Sequence, residues 1–422
     1  MSIISVKQQI TKFFISSNLD AQAKSTGFMK RIRAIKPLEF VTSLVAALSK
    51  SNIASINEVV RQFNGMRLSE DEFVAYKPFH NQLAKKEFPK FIKQITKQAL
   101  ATLLPQEQEI PERLKQFKQV ILHDGSSLTV HPELATDFKG RFTKHAPAAI
   151  ECHVSLSLFE RKIIHMDIDA DSVSEHDYLP AASTLRSCLF LADSGYVNTP
   201  YFAELDTNDA SFIVKGKSSL NPTITKAYNG NGKELKRPIG KKLKDVSQKQ
   251  NSQKVMDFDV EWGKYKCRLI RRWVASEQKF VLWLTNLPRS EFSADEVTML
   301  YRVRWQVELL FKELKSHNNL RKFNTQKKPI VEGLIWASLL TLIIKRAIAT
   351  QAVNAISMFK ASMNVDVWFI PILQAVADRE YIALKERVEW AYIYLQNNAV
   401  TSQQKKSKGY SKLDNIYAHF NS

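Results

Sequence analysis

One helical face constrains this chain more than any other feature. Residues 293–315 contain neither proline nor glycine, and Tyr301, Arg304, Glu308 and Lys315 recur among them at helical offsets. At ~100° per residue those four side chains fall within roughly 60° of one another. Leu300, Val303, Val307, Leu310 and Leu314 form an apolar stripe about 110° away around the same cylinder. Ser293 followed by Glu296 fits a capping box, and Pro288 lies just upstream. The segment reads as one helix that buries one side and aims a carboxylate, flanked by cations, at a neighbour. A carboxylate can hold a metal and cations can hold phosphates. The same pattern also fits a solvated face of Arg/Glu/Lys pairs.

Charge selects among partners. Lys and Arg number 61 against 42 Asp and Glu, a net +19 over 422 residues. That excess points to a polyanion, first of all nucleic acid, with a generically basic soluble protein as the alternative. An anionic membrane surface finds no support, because no lipidation motif or basic amphipathic anchor stands out. The apolar run Leu334–Ile344 falls short of the ~20 residues that span a bilayer and reads as a buried core helix. Cys152, Cys188 and Cys267 are odd in number and far apart, which argues against a disulfide framework or structural zinc and fits a reducing cytoplasm. The N-terminal stretch lacks a clear signal-peptide pattern.

The chain divides by pattern into five parts. Residues 1–105 read as helical, with Phe40, Leu44 and Leu48, then Val59, Val60 and Phe63, at helical spacing. A break at Asn64-Gly65 precedes a second element bearing Lys77, His80, Asn81, Gln82, Lys85 and Lys86. That pair would suit a major-groove reader, and an ordinary helical hairpin fits as well. Gln106–Gln116 is a charged linker after Pro105. Residues 117–215 read as an α/β unit open at its strand ends. Strand Val120–Leu122 ends in His123-Asp124-Gly125-Ser126 and resumes after a turn, and Ile150–Phe159 and Lys162–Ile168 continue a meander. A helix ends at Ser183–Arg186, strand Leu189–Leu191 ends in Ala192-Asp193-Ser194-Gly195, and a helix and a strand at Ser211–Val214 follow. Residues 216–287 read as a separate β meander, with Lys236, Arg237, Lys241, Lys242 and Lys244 crowded together. Residues 288–350 carry the Glu308 helix and the apolar helix Ile330–Thr350. Residues 351–422 read as helical, with Asp378–Leu395 periodic and a basic Lys405-Lys406-Ser407-Lys408 tail.

Asp124 and Asp193 each end a buried-looking strand, and each is followed within two residues by a glycine that lets backbone or ligand approach closely. Read singly, each is a turn residue or cap. Together with Glu308 from an adjacent helix they would form an all-oxygen cage suited to Mg²⁺ or Mn²⁺. His123 reads as a hydrogen-bonded neighbour of the site. Asp167, Asp169 and Asp171 lack the glycine and glutamate of a calcium loop, and Ser126 and Ser127 lack well-placed partners for nucleophilic catalysis.

Tyr301-x-x-Arg304-x-x-x-Glu308-x-x-x-x-x-x-Lys315 matches the Y-R-E-K signature of the bacterial DDE transposases of the insertion-sequence-four family. Leu122-His123-Asp124-Gly125-Ser126 resembles that family's D-G-[ST] strand, and Ala192-Asp193-Ser194-Gly195-Tyr196 its D-x-G-Y/F strand. Ser25-Thr26-Gly27-Phe28 resembles its helical N-terminal region. The resemblance implies a ribonuclease-H-like core, in residues 117–215 and 288–350, interrupted by a β-strand insertion at 216–287. A helical DNA-binding region would precede it at 1–105, and a helical region with a basic tail would follow at 351–422. It implies cut-and-paste transposition: Asp124, Asp193 and Glu308 would bind two Mg²⁺ ions, with Mn²⁺ able to substitute, for strand cleavage and transfer to a DNA 3′-hydroxyl. Arg304 and Lys315 would contact phosphates near the transposon end, with Tyr301 beside them. Relatives stack a flipped base on a tryptophan where this chain has Val281; Trp283, on the same strand face, is the candidate, and core packing is its competing role. Double-stranded DNA, the terminal inverted repeats and target DNA are the implied partners, with a homodimer on the DNA ends, no membrane, and a cytoplasmic, nucleoid-associated location in a bacterium. A catalytically silent DNA-binding derivative and a ribonuclease-H-like nuclease are the alternatives.

Overall fold

The computed structural model describes residues 3–14, 16–50, 55–67, 72–103, 110–142, 144–160, 162–246, 254–319, 325–349, 356–401 and 411–421. Residues 106–109 of the linker and the Lys405–Lys408 tail lie outside them. The architecture is mixed α/β, built on a nine-stranded sheet with helices packed against it.

The strands are β1 (Val120–Thr129), β2 (Ala149–Ser157), β3 (Lys162–Ala170), β4 (Leu189–Ala192), β5 (Ser211–Gly216), β6 (Thr223–Asn229), β7 (Val255–Trp262), β8 (Tyr265–Val274) and β9 (Lys279–Thr285), in the spatial order β3-β2-β1-β4-β5-β9-β8-β7-β6. β1, β4 and β5 run parallel, and every other pairing is antiparallel. The meander at 216–287 therefore makes no sheet of its own. β9 docks on β5 through Ile213↔Thr285 to Gly216↔Leu282 and extends the same sheet.

Strand alternation sorts the core into two layers. Leu122, Leu189, Leu191 and Ile213 face one side, while Ile121, Phe190, Ala192, Phe212 and Val214 face the other. Helix α7 (Thr199–Thr207) covers the second side, stacking Phe202 on Phe212. Helices α8 (Ala294–Tyr301), α9 (Trp305–His317) and α10 (Lys328–Ala349) contribute to the first. Covered on both faces, β4 is apolar throughout, as a central parallel strand must be.

Helix α10 explains the apolar run Leu334–Ile344. The N-terminal helices α1 (Ile3–Phe14), α2 (Ser16–Ser25), α3 (Pro37–Ser49), α4 (Ile56–Gly65), α5 (Tyr76–Leu83) and α6 (Phe88–Thr102) share its core. Gly333 lets α6 approach, because a Cβ there would lie 2.1 Å from Cε1 of Phe88. Among the described residues no helix is long and apolar enough to cross a membrane. The chain closes with α11 (Met358–Met363), α12 (Val365–Trp368), α13 (Ile370–Ala377), α14 (Tyr381–Asn398) and α15 (Ser411–Asn421). The three cysteines are buried and free.

Four sequence expectations are corrected. β1 is continuous through Asp124–Ser127, because β2 pairs with it over that whole stretch. Two 3₁₀ turns, Glu175–Tyr178 and Ala182–Leu185, stand where a helix was expected before β4. The segment between α4 and α5 is longer than the 3–4-residue turn of a helix-turn-helix, and Gln82 and Lys85 donate to the carbonyl of Phe28. Finally, the Ser293–Lys315 segment is not one α-helix. A 3₁₀ turn at Arg302–Arg304 separates α8 from α9, tightening the backbone where the cations sit. The capping box is present, with Ser293 Oγ accepting from Glu296 N and Glu296 Oε2 accepting from Ser293 N at 2.8 Å.

Candidate active site

Parallel pairing of β1 with β4 ends at His123↔Ala192, so Asp124 and Asp193 stand side by side just past the last pair. Both continue the alternation of Leu122 and Leu191, which aims them at the helix side of the sheet. Asp124 is flanked by β2 on one side and has no strand partner on the other, which is the crevice where a parallel strand stops.

Helix α9 crosses this crevice. Arg304, at its start, donates Nη1 to Asp124 Oδ2 at 2.9 Å and Nη2 to Glu308 Oε1 one turn along the helix. The Tyr301 hydroxyl lies 3.5 Å from Asp193 Oδ1, and the Arg304 guanidinium lies 5.6 Å from the Tyr301 ring. Lys315 donates Nζ to Ser126 Oγ and, at 2.9 Å, to the Ser127 carbonyl. Burial pushes the Asp124 carboxyl up to about 6; Arg304 opposes that rise, while Asp193 and Glu308 add to it. The same crowd of carboxylates, with Tyr301, holds Arg304 above its ordinary range despite burial. Asp124, Asp193, Glu308, Tyr301, Arg304 and Lys315 thus gather around one crevice.

The helix bearing Glu308 is fixed from behind. Buried Lys345 on α10 donates to the carbonyl of His317, at the end of α9, and to Ser362 Oγ, both at 3.1 Å. Arg346 pairs with Glu313 of α9 at 2.7 Å. On the other side, buried Arg268 grips Asp257 and donates to the carbonyls of Leu287 and Phe292, tying the β7–β8 hairpin to the entry of α8.

Trp283 stands one layer away. It is 7% exposed, packs edge-on to Tyr301 at 6.1 Å, and its Nε1 is buried without a hydrogen-bond partner. With Trp273, Tyr301, Arg302 and Trp305 it lines a cavity of about 740 Å³ beside Arg304. His123 is fully buried and neutral, its Nδ1 2.9 Å from Ser155 Oγ and its pKa lowered to about 3 by burial, so it is a hydrogen-bonded neighbour.

The two glycines serve a purpose that sequence reasoning missed. A Cβ on Gly125 would lie 2.5 Å from Glu151 Oε1, and one on Gly195 would lie 1.6 Å from Glu175 Oε2. Carboxylates from β2 and from the 3₁₀ turn at Glu175–Tyr178 fill the spaces read as room for a ligand. No local signal marked these partners, because Glu151 sits in an ordinary strand and Glu175 in a turn.

The donors of Asp124, Asp193 and Glu308 are hard carboxylate oxygens, chemically matched to Mg²⁺ or Mn²⁺. Their placement holds a guanidinium instead: Arg304 lies between Asp124 and Glu308. Among the described residues no three Asp, Glu, His or Cys side chains are gathered closely enough to hold an ion. A metal bridging this pair must displace Arg304.

Residues 115–344, just over half the chain, match the family model described as the transposase DDE domain. The chain is 22% identical over 393 residues to the transposase of insertion sequence element IS1151 from Clostridium perfringens, covering 81% of this chain and 80% of that protein. Over 75 residues it is 39% identical to the putative transposase InsL of IS186A from Escherichia coli K12, 18% of this chain and 20% of the relative. A solved chain from a piggyBac transposase synaptic complex with hairpin DNA aligns over 96% of this chain and 88% of its own, at 12% identity and a TM-score of 0.49. With Asp124, Asp193 and Glu308 all inside the matched span, this chain belongs to the transposases of the DDE-domain family.

Proposed function

We propose that this chain is a cut-and-paste transposase of the insertion-sequence-four type, cleaving DNA at the ends of its element and joining the freed 3′-hydroxyl to a target. The convergence of Asp124 and Glu308 on Arg304, with Asp193 beside them at the Tyr301 hydroxyl, supports the reading most directly. The order β3-β2-β1-β4-β5, with an antiparallel meander and then parallel strands, supports a ribonuclease-H-like core formed by 117–215 and 288–350. In this reading the core continues into the 216–287 strands, and helical regions at 1–105 and 351–422 flank it.

DDE transposases work with divalent metal ions, and here Asp124, Asp193 and Glu308 would hold them. When bound, two such ions supply Lewis-acid stabilisation of the attacking and leaving oxygens of an in-line phosphoryl transfer. Everything else falls to the chain. Arg304 leaves the carboxylates and meets a phosphate, for which its planar fork is suited, and its buried, unpartnered Nε gives it a further donor. Lys315 exchanges Ser126 and Ser127 for a phosphate as a point charge. Tyr301 orients Asp193 from beside it. Trp283, at the wall of the cavity, offers a face for a base drawn out of the duplex. Double-stranded DNA carrying inverted repeats is the substrate, and a dimer holding two ends in the cytoplasm of a bacterium is the assembly.

The test is a strand-nicking assay with Mg²⁺ on a duplex copied from the DNA flanking the reading frame. Glu308→Ala should bind that duplex as the parent does and fail to cut it. Cleavage retained by Glu308→Ala would remove Glu308 from the site, and parent protein that binds without cutting would favour a silent DNA-binding derivative.

A further inference from the structure

Behind the crevice lies a second guanidinium that also joins two carboxylates. Arg141 donates Nη2 to Glu151 Oε2 and Nη1 to Glu175 Oε1, each at 3.0 Å. These are the carboxylates that fill the places of the absent Cβ atoms at Gly125 and Gly195. Gly125 follows Asp124 directly, and Gly195 lies two residues after Asp193. One arginine therefore holds two acids that pack against the backbone beside both aspartates, on strand β1 at Gly125 and in the turn at Gly195.

The connection is built rather than incidental. Glu151 is almost wholly buried on β2, opposite Ser127 of β1. Asp171 fixes Arg141 in turn, its Oδ2 accepting from the Arg141 backbone N–H at 2.9 Å and its carbonyl from Nε at 3.3 Å. Ser127 donates to the other Asp171 oxygen, tying the arrangement to β1 again. The Glu175 turn touches the second aspartate turn directly, since His176 Nε2 lies 2.9 Å from the Gly195 carbonyl. All of this sits on the sheet face opposite α9, so none of it competes with Arg304 for Asp124.

We propose that Arg141, acting through Glu151 and Glu175, is a positioning residue that fixes the backbone at Gly125 and Gly195, and with it the placement of Asp124 on β1 and of the Asp193 turn. This rests on the reading of those aspartates as the reacting site. A lysine cannot substitute, because an ammonium is a point charge and the two carboxylates approach different nitrogens of one planar fork. Supports behind metal ligands act by orientation, and their loss costs ~10–100-fold in metal affinity or activity.

The experiment uses full-length protein on the flanking-sequence duplex, with Mn²⁺ binding followed by electron paramagnetic resonance alongside strand cleavage. Arg141→Ala should lose ~10–100-fold in both, with the DNA Kd close to the parent's and the protein still folded at the assay temperature. Guanidinium ion at sub-denaturing concentration should restore part of the cleavage, because the Arg141 side chain is 41% exposed and its place is reachable. Arg141→Lys should lose cleavage without rescue. Parental Mn²⁺ affinity and cleavage in Arg141→Ala would overturn the proposal, as would a loss that guanidinium leaves untouched. If Arg141→Ala does not fold, Glu175→Gln supplies the same two measurements. Parent protein that neither binds Mn²⁺ nor cuts would instead overturn the reading of Asp124 and Asp193 as the reacting site.

Discussion

Arg304 donates Nη1 to Asp124 at 2.9 Å, across 180 residues of sequence. The same guanidinium reaches Glu308, so a single internal cation lies between two acids that the proposed function gives to metal ions. Without it the half-buried carboxylates would repel one another, and Asp124 already leans towards protonation.

Arg304→Gln should therefore destabilise the DNA-free protein in a pH-dependent way. The Asp124 carboxyl, raised to about 6, is charged above that pH and needs its partner there; below it the neutral acid does not. The expected loss is on the order of 1–3 kcal/mol at pH 8, shrinking as pH falls through 6 towards 5. Denaturant unfolding of both proteins at the two pH values measures it, and an equal loss at both would show that Asp124 is not the group Arg304 serves.

Metal binding without DNA should show the complementary behaviour. A protonated Asp124 cannot act as a ligand, so Mn²⁺ affinity should rise with pH through about 6 and level off above it. Arg304→Gln should bind Mn²⁺ more tightly than the parent, having no internal cation to expel. Titrations across pH 5 to 8 decide the point, and a flat profile would take Asp124 out of the ligand set.

Gly195→Ala and Glu175→Ala should be strongly non-additive. A Cβ at Gly195 would sit 1.6 Å from Glu175 Oε2, so the alanine must drive that carboxylate off Arg141. The single Gly195→Ala change should cost on the order of 1 kcal/mol in stability, the worth of the displaced Glu175–Arg141 contact, because what must move is the end of a flexible side chain. Once Glu175 is alanine, the same change should cost much less. Simple addition in the double variant would mean the two residues do not meet.

Lys315→Ala should flatten the salt dependence of DNA binding. A lost phosphate contact lowers the slope of log K against log salt by about 1. Binding isotherms at several salt concentrations give the slope. An unchanged slope would leave Lys315 as a tether of α9 to Ser126 and Ser127.

Local chemistry made some of this molecule readable in advance. The capping box at Ser293 and Glu296, the apolar run of α10 and the unbroken apolar run of β4 are properties of short segments. The recurrence of Tyr301, Arg304, Glu308 and Lys315 follows from helical spacing even though a 3₁₀ turn interrupts it, since both helix types return the chain to the same side within a turn or so.

What the sequence determined by itself was a set of residue types at set spacings: two aspartates near strand ends, and a glutamate among cations on a helix. Which charges meet was decided only by tertiary structure. Arg304 carries one guanidinium, and nothing nearby in the chain says that it reaches Asp124 rather than a solvated neighbour. Gly125 and Gly195 announce empty space without saying what fills it; the sheet brings Glu151 alongside one, and a folded-back turn brings Glu175 to the other. Electrostatic and steric contacts act through space, so partners far apart along the polymer become legible only once β1, β2, β4 and α9 are assembled.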